Sequence, residues 1–187
     1  IETRVDTTGS MGGNVDVALR VLPDVYERCQ EVLPGYDIHI CTGIFGDVSD
    51  KFPLCRPQFE MIASKICEQL TLMVPQRAGG DAPEDPDLGI FGGAYLCRHY
   101  VNRIGLKGYD FTITDAPGRG KIDPKELKRV YGDEVFAKTT KNGFSFTGEE
   151  VFELTDVWTD LLKRAHAFVL LIGSSAKPWW VEHVGKK

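Results

Sequence analysis

Along this chain, stretches whose apolar residues alternate one by one are interleaved with stretches whose apolar residues recur every three to four positions. Residues 1–6 place Ile1, Thr3 and Val5 on one face of a short strand. Residues 15–33 then carry Val15, Ala18, Leu19, Leu22, Val25, Tyr26, Cys29 and Val32 on one helical stripe, with Pro23 expected to bend it. A strand is expected over 36–45, from Tyr36, Ile38, Ile40 and Ile44. The segment "VSDKFPLC" is expected to be a short edge strand, because Pro53 has no N–H to give a central ladder. The spacing of Phe59, Ile62, Ala63, Ile66, Leu70 and Met73 predicts a helix over 57–73, and a second helix is expected over 86–104.

The second half repeats the alternation. Residues 109–115, "YDFTITD", read as a strand, and Asp123-Pro124-Lys125-Glu126 as the capped start of a short helix ending near Gly132. "AKTTKNGFSF" reads as a polar excursion or small hairpin. Thr147-Gly148-Glu149-Glu150 is expected to cap a helix carrying Val151, Leu154, Trp158, Leu161 and Ala165. "AFVLLIG" is a continuous apolar strand, as expected where both sheet faces are covered, and Trp179 and Trp180 are expected to pack in a last turn. Strands separated by amphipathic helices specify an open, mostly parallel sheet with helices on both faces. Ligands then gather beyond the carboxyl ends of the strands, where the winding reverses.

Composition narrows the function classes. Charges sum to 22 − 27 = −5, and the sole basic run is the terminal Lys186-Lys187, which argues against a nucleic-acid or anionic-membrane surface. No apolar run reaches the ~18 residues of a spanning helix. The 187 residues suit one domain, and an initial Ile suggests a piece of a longer protein. Five cysteines (29, 41, 55, 67, 97) without a C-x-x-C pair read as reduced thiols, which suits a cytoplasmic location. The four histidines, scattered singly, argue against a zinc site.

Three polar loops fall where ligands gather. "VDTTGSMGGN" puts Asp6 at a strand tip with Thr8 and Ser10 beyond it; "VPQRAGGDAPEDPD" carries Asp81; "TITDAPG" ends its strand at Asp115. Carboxylates with hydroxyls are hard oxygen ligands, suited to Mg²⁺, Mn²⁺ or Ca²⁺. Each loop also has a plainer account. Asp6-Thr7-Thr8 could be a turn and helix cap without metal, and Asp81, Glu84, Asp85 and Asp87 an acidic cap on the next helix. Asp47 could support the site from behind or simply form a turn. Arg77, Arg119 and Lys121 read as a solvated loop face. An aspartic-protease D-T-G-S loop is interrupted by an extra Thr, a D-x-D-x-T phosphatase lacks its second Asp, and neither a P-loop nor a G-x-S-x-G elbow is present.

"DTTGSMGG", "GGDAPED" and "TITDAPG", each beside an amphipathic helix or apolar strand, together resemble the von Willebrand factor A (vWA) domain, in particular its intracellular and bacterial branches. The resemblance runs from Val5 through residues 167–172. It implies a three-layer α/β/α Rossmann-like sandwich whose mostly parallel sheet has one short antiparallel edge strand. It also implies a metal-ion-dependent adhesion site (MIDAS). Thr8 and Ser10 would touch Mg²⁺, or Mn²⁺ or Ca²⁺, through their hydroxyls, and Asp6 and Asp115 would hold it directly or through water. Thr8 stands where the family has Ser, and Asp81, taken as a fifth ligand, where it has a second-loop Thr. The implied function is metal-dependent protein binding, in which a partner's Asp or Glu completes the coordination. A metal-dependent hydrolase or phosphoesterase, or a scaffold with a vestigial site, are the alternatives. No general base, nucleophile or nucleotide cradle is evident in the sequence.

Overall fold

The structure is a computed structural model and describes residues 1–77 and 83–185. In chain order, the first half holds β1 (Glu2–Asp6), α1 (Asn14–Val32), β2 (Cys41–Phe45), β3 (Leu54–Cys55), α2 (Ala63–Thr71) and α3 (Pro86–Phe91). The second half holds β4 (Gly108–Thr114), β5 (Lys121–Ile122), α4 (Pro124–Tyr131), α5 (Val135–Lys141), β6 (Phe152–Glu153), α6 (Leu154–Arg164), β7 (Ala165–Leu171) and α7 (Lys177–His183). Among the described residues, the main sheet has the order β3-β2-β1-β4-β7. β1, β2, β4 and β7 run parallel, and β3 pairs antiparallel to β2. The chain winds outward from β1 to β3, then returns to lay β4 on the other side of β1. The winding therefore reverses between β1 and β4, and the tips of those two strands open into one crevice.

Side-chain alternation builds the three layers. Val5 and Ile44 face α1 and α2, where they meet Met11, Val15, Leu22 and Met73. The opposite face packs on a larger cluster that includes Phe91, Tyr95, Leu127, Leu154, Trp158 and Leu161. Even-numbered residues of β1 point into that side, and they are charged. Arg4 is fully buried, pairs with Asp110 and donates to the Thr112 hydroxyl at 2.9 Å. Glu2 accepts both Arg56 nitrogens, at 2.8 and 2.9 Å. α3 lies directly over this ion-pair layer, and Gly89 and Gly93 make the approach possible. A Cβ on Gly93 would come within 2.6 Å of the Arg4 guanidinium and 3.0 Å of the Asp110 carboxylate.

Several expectations are corrected. Residues 57–62 are not helical: Glu60 is extended and exchanges backbone hydrogen bonds with Ile40, so α2 begins only at Ala63. β2 likewise starts at Cys41 rather than Tyr36. The helix expected over 86–104 breaks up after α3. Residues 92–96 widen into a turn closed by the Cys97 N–H on the Gly92 carbonyl, and Tyr100–Ile104 form a tight 3-10 turn. The polar 137–146 excursion is partly helix: α5 is anchored by buried Val135, Phe136 and Thr139. Thr147 does not open a helix either, because Phe152–Glu153 first pair with β5 and α6 starts at Leu154. β7 is an edge strand with one covered face, not two. Ala165, Ala167, Val169 and Leu171 pack on the large cluster, whereas Phe168 and Leu170 are 45% and 46% exposed. Asp123 does cap α4, accepting the Lys125 N–H at 2.7 Å, and the helix stops at Gly132.

Candidate metal centre

The loop leaving β1 turns at once, since Thr7 ties both its N–H (2.8 Å) and its hydroxyl (2.9 Å) to the Phe45 carbonyl of β2. Thr8, Gly9 and Ser10 then double back over the strand tip. Asp6 is fully buried beneath them. Its Oδ1 accepts the Thr8 N–H (2.9 Å) and hydroxyl (2.7 Å), and its Oδ2 accepts the Thr114 hydroxyl from β4 (2.6 Å). The Thr8 hydroxyl lies 3.2 Å from that of Ser10, which donates to Asp115 Oδ1 at 2.8 Å. An unbroken line of oxygens thus runs from Asp6 through Thr8 and Ser10 to Asp115. Its outer members, Ser10 and Asp115, reach solvent. Burial pushes the Asp6 carboxyl above its ordinary range and the Asp115 charge adds to this, against the hydrogen bonds from Thr114 and Thr8.

This donor set fits a hard dication. Octahedral Mg²⁺, with ligands at about 2.0–2.1 Å, requires neighbouring ligand oxygens about 3 Å apart. The Thr8–Ser10 and Ser10–Asp115 separations of 3.2 and 2.8 Å have that spacing already. Ser10 has no part in starting α1, whose first turn has no side-chain cap and is preceded by Gly13. Of the plainer account of Asp6-Thr7-Thr8 the turn holds, with Asp6 accepting the Thr8 N–H, whereas no side chain there caps a helix. Asp81, the expected second-loop ligand, lies outside the described residues.

The second loop is nonetheless anchored at Arg77 and again at Glu84 and Asp85. Arg77 takes positive φ (52°), gives its N–H to the Thr7 carbonyl at 3.1 Å and pairs with Asp16 at 2.7 Å. Glu84 gives its N–H to the Pro117 carbonyl at 3.1 Å, beside Asp115. Asp85 accepts the Val48 N–H (2.6 Å), and Arg119 bridges Asp85 (2.8 Å) and Asp47 (2.9 Å). Arg119 therefore belongs to an ion-pair network joining three loops rather than to a solvated face, and Asp47 is part of it. Lys121 pairs with Glu153 instead, at 3.1 Å. Trp180, buried in α7, donates its indole N–H to the Ala116 carbonyl at 2.9 Å and so fixes the backbone next to Asp115.

Glu84 is the residue that sequence reasoning passed over. It is 4% exposed, its Oε2 makes no hydrogen bond, and its carboxyl faces the Thr8 hydroxyl and the Asp6 and Asp47 carboxylates. Burial first, then those like charges, push it up to about 7. Beside so many acids in the sequence it reads as part of a helix cap, and only its burial sets it apart.

A second grouping was not suggested by spacing. Glu2, Cys97 and His99, all buried, have ligand atoms within 4.8 Å of one another. Both Glu2 oxygens are taken by Arg56, and Arg4 lies 3.5 Å away. Burial pushes the Cys97 thiol up to about 12 and the His99 imidazole down to about 4. The two guanidiniums repel a dication, Glu2 is already occupied by them and the thiol is held protonated, so this cluster is an ion-pair core. All five cysteines are unpaired.

No family model and no curated protein matches the sequence. Among solved structures, the pilus adhesin SpaC from Lactobacillus rhamnosus GG, in an open conformation, is similar over 66% of this chain at 16% identity, with a TM-score of 0.49. This chain spans 15% of that adhesin's length.

Proposed function

We propose that the chain is a divalent-cation-dependent protein-binding module whose cation, held at the tips of β1 and β4, is completed by an acidic residue of a protein partner. The supporting observation is the oxygen line Asp6–Thr8–Ser10–Asp115, which links two strand tips at the reversal point and ends in a solvent-facing hydroxyl and carboxylate. Thr8, Ser10 and Asp115 would hold Mg²⁺ or Mn²⁺ directly, with Asp6 orienting Thr8 from behind. The resemblance of the three loops to the vWA domain and its MIDAS points the same way. No helix among the described residues is long and apolar enough to cross a membrane, and unpaired cysteines suit a reducing compartment such as the cytoplasm.

A bound cation stabilises the fold by mass action, about 2.7 kcal/mol at about 100 times its dissociation constant. In a chain of this length that corresponds to a rise of roughly 5–10 °C in melting temperature. Thermal melts in EDTA and in excess Mg²⁺ or Mn²⁺ are expected to differ by that amount for the native chain. Asp115→Ala and Ser10→Ala are expected to lose the shift while melting like the native chain in EDTA. Coincident native melts would refute the cation reading. If the melts shift but acetate or an Asp-containing peptide binds no better with metal than without it, the acidic-partner half of the proposal fails alone.

A further inference from the structure

We infer that Glu84 is a protein ligand of this cation and takes the place the sequence assigns to Asp81, as the third carboxylate beside Asp6 and Asp115. The inference rests on the cation reading above and concerns which second-loop residue serves it.

The buried acids of the crevice are Asp47, Asp85 and Glu84, together with Asp6. Asp47 accepts the Ser49 N–H at 2.6 Å and pairs with Arg119. Asp85 accepts the Val48 N–H and the other side of Arg119. Asp6 is answered by Thr8 and Thr114. Glu84 Oε2 is buried and unanswered, as is Asp87 Oδ1 behind Gly118, but it is the Glu84 carboxyl that faces Thr8 and Asp6 of the oxygen line. A carboxylate oxygen removed from water without a partner is costly, and unanswered buried groups persist where something outside the chain answers them. The position is not an accident of a loose loop: the Glu84 N–H is fixed to Pro117, and the next residue is pinned by Val48 and Arg119. The carboxyl then points at the Thr8 hydroxyl, the inner hydroxyl of the oxygen line, with like charges of Asp6 and Asp47 behind it. Thr8, Asp6, Asp47 and Asp85, the groups that act most on that carboxyl, all present oxygens. A dication satisfies all of them together, since it answers the orphaned oxygen and screens the carboxylates from one another.

The consequence is electrostatic. A neutral hydroxyl from the second loop would leave the bound cation attractive to a partner's carboxylate. Three carboxylates (Asp6, Glu84 and Asp115) leave about one net negative charge on the loaded site. Glu84 thus strengthens retention of the cation and weakens the pull on an acidic partner.

Mn²⁺ titration calorimetry on the native chain, Glu84→Gln and Asp81→Asn tests this. Glu84→Gln keeps the volume and hydrogen-bonding capacity but removes the charge. It is expected to weaken Mn²⁺ roughly 10- to 100-fold, to melt no lower than the native chain in EDTA, and to bind acetate more tightly at saturating metal. Asp81→Asn is expected to leave Mn²⁺ affinity within about twofold. Native-like Mn²⁺ affinity in Glu84→Gln, or a large loss confined to Asp81→Asn, overturns the inference while the cation reading stands. A lower melt of Glu84→Gln in EDTA also overturns it, since the carboxyl would then be held by the fold alone. A native chain that takes up no Mn²⁺ removes both.

Discussion

Buried acids in this chain divide by what answers them. Asp110 meets Arg4, Glu2 meets Arg56, and Asp47 and Asp85 share Arg119. Asp87, 1% exposed, accepts the Gly120 N–H at 2.7 Å and is reached by the Arg119 backbone, while its Oδ1 has no partner. Burial pushes it up to about 7 from an ordinary 3.8, with the Asp85 charge adding and Gly120 opposing. The folded chain therefore holds a proton that the unfolded chain has already released between those two values. Stability falls as pH rises through that window, by at most about 1.4 kcal/mol per pH unit from this group. Asp87→Asn stays neutral and keeps an acceptor for Gly120. In EDTA it is expected to melt above the native chain at about pH 8 and to converge with it only at about pH 4, the low end of that window. Parallel melting curves across that range would show that Asp87 is not the group responsible. The sequence makes Asp6, Thr8, Ser10 and Asp115 legible because a strand tip followed by a tight turn fixes where such side chains go. It leaves Asp87 and Glu84 indistinguishable from Asp85, since burial and the reach of Arg119 depend on loops distant along the chain.

Elements were legible where one local pattern decides them. β1, α1, β4 and α4 follow from periodicity and capping, and β3 from Pro53 at an edge. They were illegible where tertiary contact overrides periodicity. Phe59 and Ile62 have helical spacing with Ile66, yet Glu60 is claimed by Ile40 as a β-bridge. α5 looks polar by composition, but its three buried residues fix it against the core. α3 ends early because the charged layer beneath it demands close approach at Gly89 and Gly93, and a run that includes Gly92 as well has little helical preference of its own. The close approach is testable. Gly93→Ala places a methyl against the Arg4–Asp110 pair, neither of which has free space to move into, and is expected to cost about 1–3 kcal/mol. Gly13→Ala, in α-type backbone with nothing within 4 Å of the added atom, is the control and is expected to be near neutral. Urea midpoints of the two variants compare them directly; equal shifts would mean that α3 does not depend on the ion-pair layer for its seat.

At the scale of the whole molecule, the two faces of the sheet are unequally covered. One face is packed from β1 to β7 by the cluster around Phe91, Leu154 and Leu161. The other is covered over β1 and β2 by α1 and α2, and cover ends near Ile113, which is only partly buried. Beyond it Phe111 stacks on Phe168 at 5.3 Å and Tyr109 lies tilted against His166 at 5.3 Å, with Leu170 alongside by register. Tyr109, Phe168 and Leu170 are 41%, 45% and 46% exposed. The same strand, β7, has an outer edge of seven residues that no strand pairs among the described residues, without proline or a permanently charged side chain. An apolar face joined to such an edge is the combination that most readily recruits another chain or aggregates. The chain of 187 residues is therefore expected to bind the dye ANS in its native state and to scatter more light as its concentration rises. Phe168→Lys and Leu170→Glu alter only the uncovered face, since their neighbours Ala167 and Val169 carry the packing on the other. Both are expected to reduce dye binding and scattering while leaving the metal-induced melting shift in place, because the oxygen line lies at the strand tips and makes no use of this face. If ANS binding is unchanged in both variants, the face is covered in solution; if the metal shift disappears with it, strand β7 and the metal centre are coupled through β4 more tightly than their separate contacts imply.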